Sequence, residues 1–386
     1  MNLQVNHGPQ EAHEVLTEVR GQMGLITLNR PKALNALSLP MIRALNATLL
    51  AWRDDPAVKA VALRGSNKTG PFGTLCAGGD IRFFHQAALA GNPELEDFFT
   101  EEYALNCLIH RFPKPYVVFM DGIVMGGGMG LCGHGALVDE ATGLGRKIRI
   151  VTERTKMAMP ETQIGLFPDV GGGYFLSRCP GLVGEWLALT GEVFGAAEAA
   201  DFGFADACFE VDQLQPAWDA LAQLDLNDVD MLEAWLAKYS STSHAQAPSA
   251  GDKISKYFAK STVAEIVQAL EADTDSWAQH TAAQLRKRSP LMLHVALEQV
   301  RRAKTLSLAQ DLRMERDMVH HCFNPVHLGR SARQSETVEG IRALAVDKDH
   351  APRWLPARIE EVTPEMVLPF FTSPWTSQTH PLRTLS

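Results

Sequence analysis

Between Lys114 and Gly133 the chain reads KPYVVFMDGIVMGGGMGLCG. Tyr116–Val124 is a mostly apolar run of the kind that forms a buried strand, and it leads directly into Gly126-Gly127-Gly128. Glycine lets backbone approach a ligand closely and supplies turns that other residues resist. A glycine cluster that follows a strand and opens a helix points its free N–H groups outward, where they favour negative charge. That arrangement suits either a phosphate or an oxyanion that develops during a reaction.

The flanking sequence alternates in the same way. Val15–Arg20, Gly24–Asn29 and Val58–Arg64 read as strands. Ser38 reads as the N-cap of a helix through about Asp54, with Ile42, Leu45, Leu49 and Trp52 at helical spacing. Leu95, Phe98, Phe99, Leu105, Leu108 and Ile109 predict an amphipathic helix that ends before Pro113. Alternation of this type predicts an α/β fold. Val138–Val151 is expected to be an exposed loop or hairpin. Ala196–Phe202 is expected to be a short helix, followed by strand-like Phe204–Glu210. Beyond residue 212 the pattern turns helical, with a low-complexity surface loop at Ser240–Gly251. Ser289-Pro290 pairs an N-cap with a first-turn proline, and Trp354 is an anchor for the Pro-rich tail. The expected division is a catalytic core over residues 12–212 and a C-terminal helical region over 213–386.

Composition narrows the function. The 386 residues are 46% hydrophobic and 21% charged, which excludes global disorder, a collagen-like fibre and a disulfide scaffold. A net charge of −9 disfavours broad capture of nucleic acid or of an anionic membrane. An anionic ligand would need a local cationic or N–H site. The six cysteines form no C-x-x-C pair and read as reduced thiols of a cytoplasmic protein. The opening MNLQVNHGPQEAHE lacks the basic and apolar regions of a signal peptide. No stretch approaches the ~20 apolar residues of a membrane span.

Three glycine clusters stand out: Gly78-Gly79, Gly126-Gly127-Gly128 and Gly171-Gly172-Gly173. Gly128–Gly133 also fits G-x-G-x-x-G, so a dinucleotide site is one alternative. The acidic partner expected ~20 positions on would be Glu153, which lies in polar TERTK. Close helix packing without a ligand is another alternative. There is no G-x-S-x-G elbow, no Walker A and no H-E-x-x-H. His320-His321-Cys322 read as packing residues rather than metal ligands, and His134 as a structural histidine rather than a general base. Glu161 and Asp169, in MPETQIGLFPDVGGG, each follow a proline among apolar neighbours. Carboxylates in such surroundings have raised pKa values and serve as acids or bases.

Taken together, LNRPKALNALS (Leu28–Ser38), CAGGDIR (Cys76–Arg82), KPYVVFMDGIVMGGGMGL (Lys114–Leu131), MPETQIGLFPDVGGGYFLSR (Met157–Arg178) and LTGEVFGAAEAADFGFAD (Leu189–Asp206) resemble the crotonase (enoyl-CoA hydratase/isomerase) superfamily. GLFPDVGGGYFL, the Glu101-Glu102-Tyr103 triplet and the tail Glu339–Thr363 are most similar to its branch that hydrolyses a short branched β-hydroxyacyl-CoA thioester, as in valine breakdown. The resemblance implies a spiral of ββα units with a C-terminal helical region, and an acyl-CoA substrate. It implies no separate cofactor, since coenzyme A is part of the substrate, and no metal. The oxyanion hole would be the N–H groups of Gly79 and Gly127, and Glu161 the principal catalytic carboxylate. Asp169 stands where simple hydratases usually have glycine, and Gly130 where they carry their second glutamate. Glu102 would contact the substrate, at its 3-hydroxyl. Lys32 and Ala33, with Arg30, would lie near the nucleotide; the basic runs at Arg286–Arg288 and Arg301-Arg302 are alternatives. Family members commonly assemble through C-terminal helices, so the resemblance allows a homo-oligomer, but the C-terminal region here is longer than theirs and leaves the oligomeric state open. The segment between His134 and Glu161 is roughly ten residues longer than the family pattern, an insertion of the kind surface loops tolerate. A hydratase or isomerase, a nicotinamide-dependent oxidoreductase and a non-catalytic acyl-CoA-binding module remain the competing functions.

Overall fold

The computed structural model describes residues 13–134, 144–228, 230–241 and 251–386. Six strands form the main sheet: β1 (Val15–Arg20), β2 (Met23–Leu28), β3 (Ala60–Gly65), β4 (Tyr116–Met120), β6 (Lys147–Val151) and β8 (Ala207–Cys208). They lie in the order β1-β2-β3-β4-β6-β8, antiparallel for the first pair and parallel thereafter. A second, two-stranded sheet pairs β5 (Ile123–Met125) with β7 (Lys156–Ala158), and Cys76 joins it by bridging to Val124. The chain therefore passes repeatedly from a main-sheet strand to a short second-layer strand and then to a helix. This is the ββα spiral anticipated from the motifs.

Successive side chains of a strand point to opposite faces, and from β2 to β6 both faces of the main sheet are buried, while the edge strand β1 is exposed. Leu25, Ala60, Ala62, Val117 and Phe119 enter one core with Trp218 and Trp235. Ile26, Leu28, Val61, Leu63 and Val118 enter the other, which continues to Leu382. Burial of one such aliphatic side chain is worth roughly 1.5–3 kcal/mol, so polar substitutions are costly on either face. That is why the strand sequences show apolar runs instead of alternation.

The helices follow their sequence signals closely. Ser38 caps α1 (Leu39–Asp54), accepting a hydrogen bond from Met41 N–H. Asp80 caps α2 (Ile81–Ala90), and α3 (Glu94–His110) buries Leu95, Phe98, Phe99, Leu105 and Ile109. Ser289 and Pro290 open the helix Pro290–Ala303 as expected. That helix packs against Gly172–Leu176 and Val183–Thr190, and the helix Leu308–Phe323 packs against α3. These two C-terminal helices thus close over the core's helical side, while Trp218 and Trp235 cover the other face of the sheet. Trp354 is half-buried and donates to Lys287 O at 3.3 Å.

Two expectations are corrected. Tyr116–Val124 is not one strand: Gly122, at φ +61°, turns the chain out of the main sheet into the second. Val138–Val151 is not simply an exposed loop, because Lys147–Val151 is an interior strand between β4 and β8. Its charges misled because each has a private partner. Lys147 Nζ donates to Gly145 O (2.7 Å) and Phe112 O (3.1 Å), and Arg149 pairs with Asp206 (2.7 Å). Residues 135–143, and most of the Ser240–Gly251 loop, lie outside the described residues.

Candidate active site

The loop Cys76–Asp80 is held as a partial strand. Leu37 N–H donates to Gly78 O (2.8 Å) and Asp80 N–H donates to Leu37 O (3.0 Å). These bonds use the peptide groups on either side of Gly79, so the Gly79 N–H faces the opposite way. Gly78 sits at φ +110°, a region essentially reserved for glycine. Gly126 (φ +48°) makes the second turn, after which the one-turn helix α4 (Gly127–Gly130) begins. The first N–H groups of a helix have no intrahelical acceptor, which leaves the Gly127 amide free. The two glycines adjoin: a methyl group placed on Gly127 would lie 3.4 Å from Gly79 N.

Carboxyl groups converge on the same place. Glu161 opens a 3-10 turn after Pro160, and its Oε1 would stand 2.7 Å from a methyl group on Gly126. Glu102, on α3, brings Oε1 within 2.5 Å of where a methyl group on Gly127 would lie. Asp169 accepts a hydrogen bond from the Tyr103 hydroxyl at 2.9 Å. Gly79, Gly127, Glu102, Glu161 and Asp169 all line one cleft of about 150 Å³. Its remaining walls are mainly apolar, including Ile81, Phe84, Leu166, Val170 and Leu344.

These carboxyls are buried, and among the described residues none of the three forms an ion pair. Burial is the largest influence on each, with mutual repulsion adding to it for Glu102 and Glu161. Glu102 and Glu161 are pushed well above the usual carboxylate range, and Asp169 rises to about 6. The Tyr103 hydrogen bond opposes the rise at Asp169. Glu161 Oε2 and Glu102 Oε1 have no partner among the described residues, so both are available to a ligand. The site thus combines two unspent amides, which can stabilise an oxyanion, with weakly acidic carboxyls that can exchange protons or attack a carbonyl carbon.

Gly130 has no room for a side chain. A methyl group there would stand 2.7 Å from both Asn106 Nδ2 and Val170 Cβ. The space in front of Gly130 is filled by Asn106 and Val170.

Other expected residues lie elsewhere. Lys32 is exposed and Ala33 half-buried on the turn Pro31–Ala33, and neither lines the cleft. Arg30 is occupied by Glu14 (3.1 Å) and Asp80 (2.8 Å). Arg286 is paired with Glu271 and Glu360, and Arg302 with Glu298. His134 is buried edge-on against Phe175 and Phe204, the packing role anticipated for it. His320 and His321 turn to different partners, Glu96 Oε1 and Thr372 O. The G-x-G-x-x-G match is explained by packing: a methyl group on Gly128 would lie 2.3 Å from Cys76 O. Tyr103 and Asn106 were not singled out as site residues from the sequence. The available signal is that Glu102, Tyr103 and Asn106 fall on the same face of α3 as Leu95, Phe98, Phe99 and Ile109, and all are buried.

An α/β spiral with this cleft defines a class, and the comparisons agree. The enoyl-CoA hydratase/isomerase family model matches residues 23–371, and the chain belongs to that family. It is 37% identical over 374 residues to the mitochondrial 3-hydroxyisobutyryl-CoA hydrolase of Xenopus laevis, covering 95% of this chain and 91% of that protein. It is 37% identical over 369 residues to the corresponding protein of Rattus norvegicus, covering 94% of this chain and 90% of that protein. Among solved structures, a carnitinyl-CoA dehydratase from Mycobacterium thermoresistibile superposes with a TM-score of 0.81 at 40% identity, covering 94% of this chain and 97% of that one. The expectation of a cytoplasmic protein is corrected by the first two relatives, both of which are named as mitochondrial.

Proposed function

We propose that the protein hydrolyses a short branched β-hydroxyacyl-CoA thioester, 3-hydroxyisobutyryl-CoA being the leading candidate, a reaction that belongs to valine degradation. The observation that carries this reading is the meeting of the Gly79 and Gly127 amides with Glu161 and Asp169 in one cleft. The thioester carbonyl oxygen accepts from the two amides, one such donor being typically worth about 2.7–4 kcal/mol in the transition state. Glu161, once ionised, attacks the carbonyl carbon, or takes a proton from a water that attacks it, and either attack gives a tetrahedral oxyanion. The C–S bond breaks as that oxyanion collapses, and the departing thiolate takes a proton from the acid trio; the first route leaves an anhydride that water hydrolyses, and the second gives the free acid at once. Asp169 orients the substrate and handles that proton, and Glu102 receives the 3-hydroxyl. These groups and water suffice, so the reading invokes no resident cofactor.

The test is Glu161→Gln, assayed by release of free thiol from a panel of acyl-CoA esters. The expected result is loss of release with acyl-CoA binding retained; near-normal turnover would remove Glu161 from this role. Single turnover in heavy-oxygen water separates the two routes, since only the anhydride route carries label into Glu161.

A second reading, hydration or dehydration of a related acyl-CoA, is favoured by the name of the M. thermoresistibile structure. The crowding at Gly130 opposes it, because that reaction uses a second carboxylate there. An ultraviolet assay for enoyl loss, run beside thiol release, decides between them.

A further inference from the structure

A second pair of buried acids lies behind the cleft, and the proposed chemistry does not use it. Asp311 and Glu315 are one helical turn apart on Leu308–Phe323, and both are 0% exposed. Glu315 Oε2 accepts from Gly171 N–H at 2.7 Å. Its Oε1 accepts from Gly173 N–H at 3.0 Å and from Gln299 Nε2 at 2.9 Å. Gln299 Nε2 also donates to Pro168 O at 2.7 Å, and Asp311 Oδ2 accepts from Tyr174 N–H at 2.8 Å. Among the described residues neither acid forms an ion pair. Their polar contacts are instead spent on the turn that carries Asp169.

That turn needs support. Val170 sits at φ +57° and Gly171 at φ +86°. Positive φ at a β-branched residue costs on the order of 1–3 kcal/mol and persists only where the surroundings impose it. The surroundings here are specific: the segment is gripped at Pro168, Gly171, Gly173 and Tyr174 by side chains from two C-terminal helices. Gly172 N–H closes the turn on Asp169 O at 2.8 Å. Gly173 is required by the grip itself, since a methyl group there would meet Asp311 Oδ1 at 2.6 Å. A carboxylate that accepts several N–H bonds is a strong and directional clamp.

We propose that Glu315, assisted by Gln299 and Asp311, is a positioning residue: it fixes the Pro168–Gly173 turn so that Asp169 faces both Tyr103 and the reacting thioester. The inference rests on the role given to Asp169 above and extends the working site into the C-terminal helices. Burial pushes Asp311 up to about 7 and Glu315 upward as well, as befits acids kept for geometry rather than for surface charge.

The test is Glu315→Gln, an isosteric change that sets an amide N–H against one of the glycine amides. The expected result is a kcat for thiol release lowered about 10- to 100-fold, with KM close to wild type, as a misplaced catalytic group produces. Repeated in an Asp169→Asn background, the same change should cost less than about twofold, because residues acting through one another are not additive. A wild-type kcat per folded molecule, or losses that multiply in the double variant, would overturn the proposal. Should Glu315→Gln not fold, Gln299→Ala removes the Pro168 contact with Glu315 left in place, and is read by the same kcat, KM and double-variant comparison. Full activity of Asp169→Asn alone would instead sink the role of Asp169. An active-site defect in Asp169→Asn beside normal Glu315→Gln and Gln299→Ala would sink only the clamp.

Discussion

The Tyr103 hydroxyl donates to Asp169 Oδ2 at 2.9 Å, and both side chains are shut away from water. The bond ties α3 to the turn at Pro168–Gly173. It also biases the protonation of the cleft, because a donor on a carboxylate favours the ionised form. Burial pushes Glu102 and Glu161 well above the usual carboxylate range and Asp169 up to about 6. The three carboxyls face one another, so they release their protons as a coupled set above the ordinary carboxylate range.

The pH dependence of turnover follows from this. The base is Glu161, which burial holds well above the usual carboxylate range, so kcat/KM should rise with pH along a limb centred above that range. Tyr103→Phe removes the donor that holds Asp169 down, so Asp169 keeps its proton to higher pH and the falling limb, where that proton is lost, should move up. The check is a pair of pH–rate profiles. A limb in the ordinary range near ~4 would contradict the assignment, as would no movement in the variant.

The same carboxyls weaken the fold. Asp169 titrates at about 6 in the folded chain against an ordinary 3.8, so it prefers the proton when folded. Its favourable contribution is full below the unfolded value and is lost as pH rises through about 6. Above that, keeping it ionised and buried costs on the order of 3 kcal/mol. Asp169→Asn keeps the shape and an acceptor for Tyr103 while removing the charge. It should therefore raise Tm, more so in alkaline than in acidic buffer, while turnover falls. Thermal melts at two pH values check this, and a Tm gain independent of pH would argue against the buried charge as its source.

How much of this was readable beforehand divides along physical lines. β1, β2, β3, α1, α3 and the helix from Pro290 announced themselves through apolar spacing and caps, which are local properties of the chain. Gly79, Gly127, Glu102, Glu161 and Asp169 came from motifs, and the fold brings them to one cleft. What the sequence concealed was long-range. Gly122 looks like one more residue of an apolar run until its φ of +61° sends the chain into the second sheet. Lys147 and Arg149 look solvated until their partners are seen, Gly145 O and Asp206. Glu315 lies 146 positions beyond Asp169, and no local pattern links it to the turn it grips.

Gly130 offers a test of why a second carboxylate is missing. A side chain there meets Asn106 Nδ2 and Val170 Cβ, each 2.7 Å from the first carbon. Gly130→Glu should therefore lower Tm, overpacking typically costing about 1–3 kcal/mol, without creating enoyl-CoA hydration. Adding Asn106→Ala should recover part of the loss, because it vacates the space. Melting curves with an ultraviolet hydration assay provide the measurement. Ready acceptance of Gly130→Glu with new hydratase activity would show the crowding to be irrelevant.

Gly127→Ala examines the paired amides directly. Its methyl group would lie 2.5 Å from Glu102 Oε1 and 3.4 Å from Gly79 N. The first contact is with the far end of a side chain that can swing aside, so the fold should survive with little change in Tm. The second remains, because the methyl group narrows the space in front of the Gly79 N–H, through which a carbonyl oxygen must pass to reach both amides. Thiol release should fall about 10²–10³-fold, the loss typical of one oxyanion donor. Adding Glu102→Ala relieves the clash and leaves the obstruction, so activity should stay low in the pair. If that second change restored turnover, the damage in Gly127→Ala would trace to displacement of Glu102, and the oxyanion role of the two amides would have to be given up.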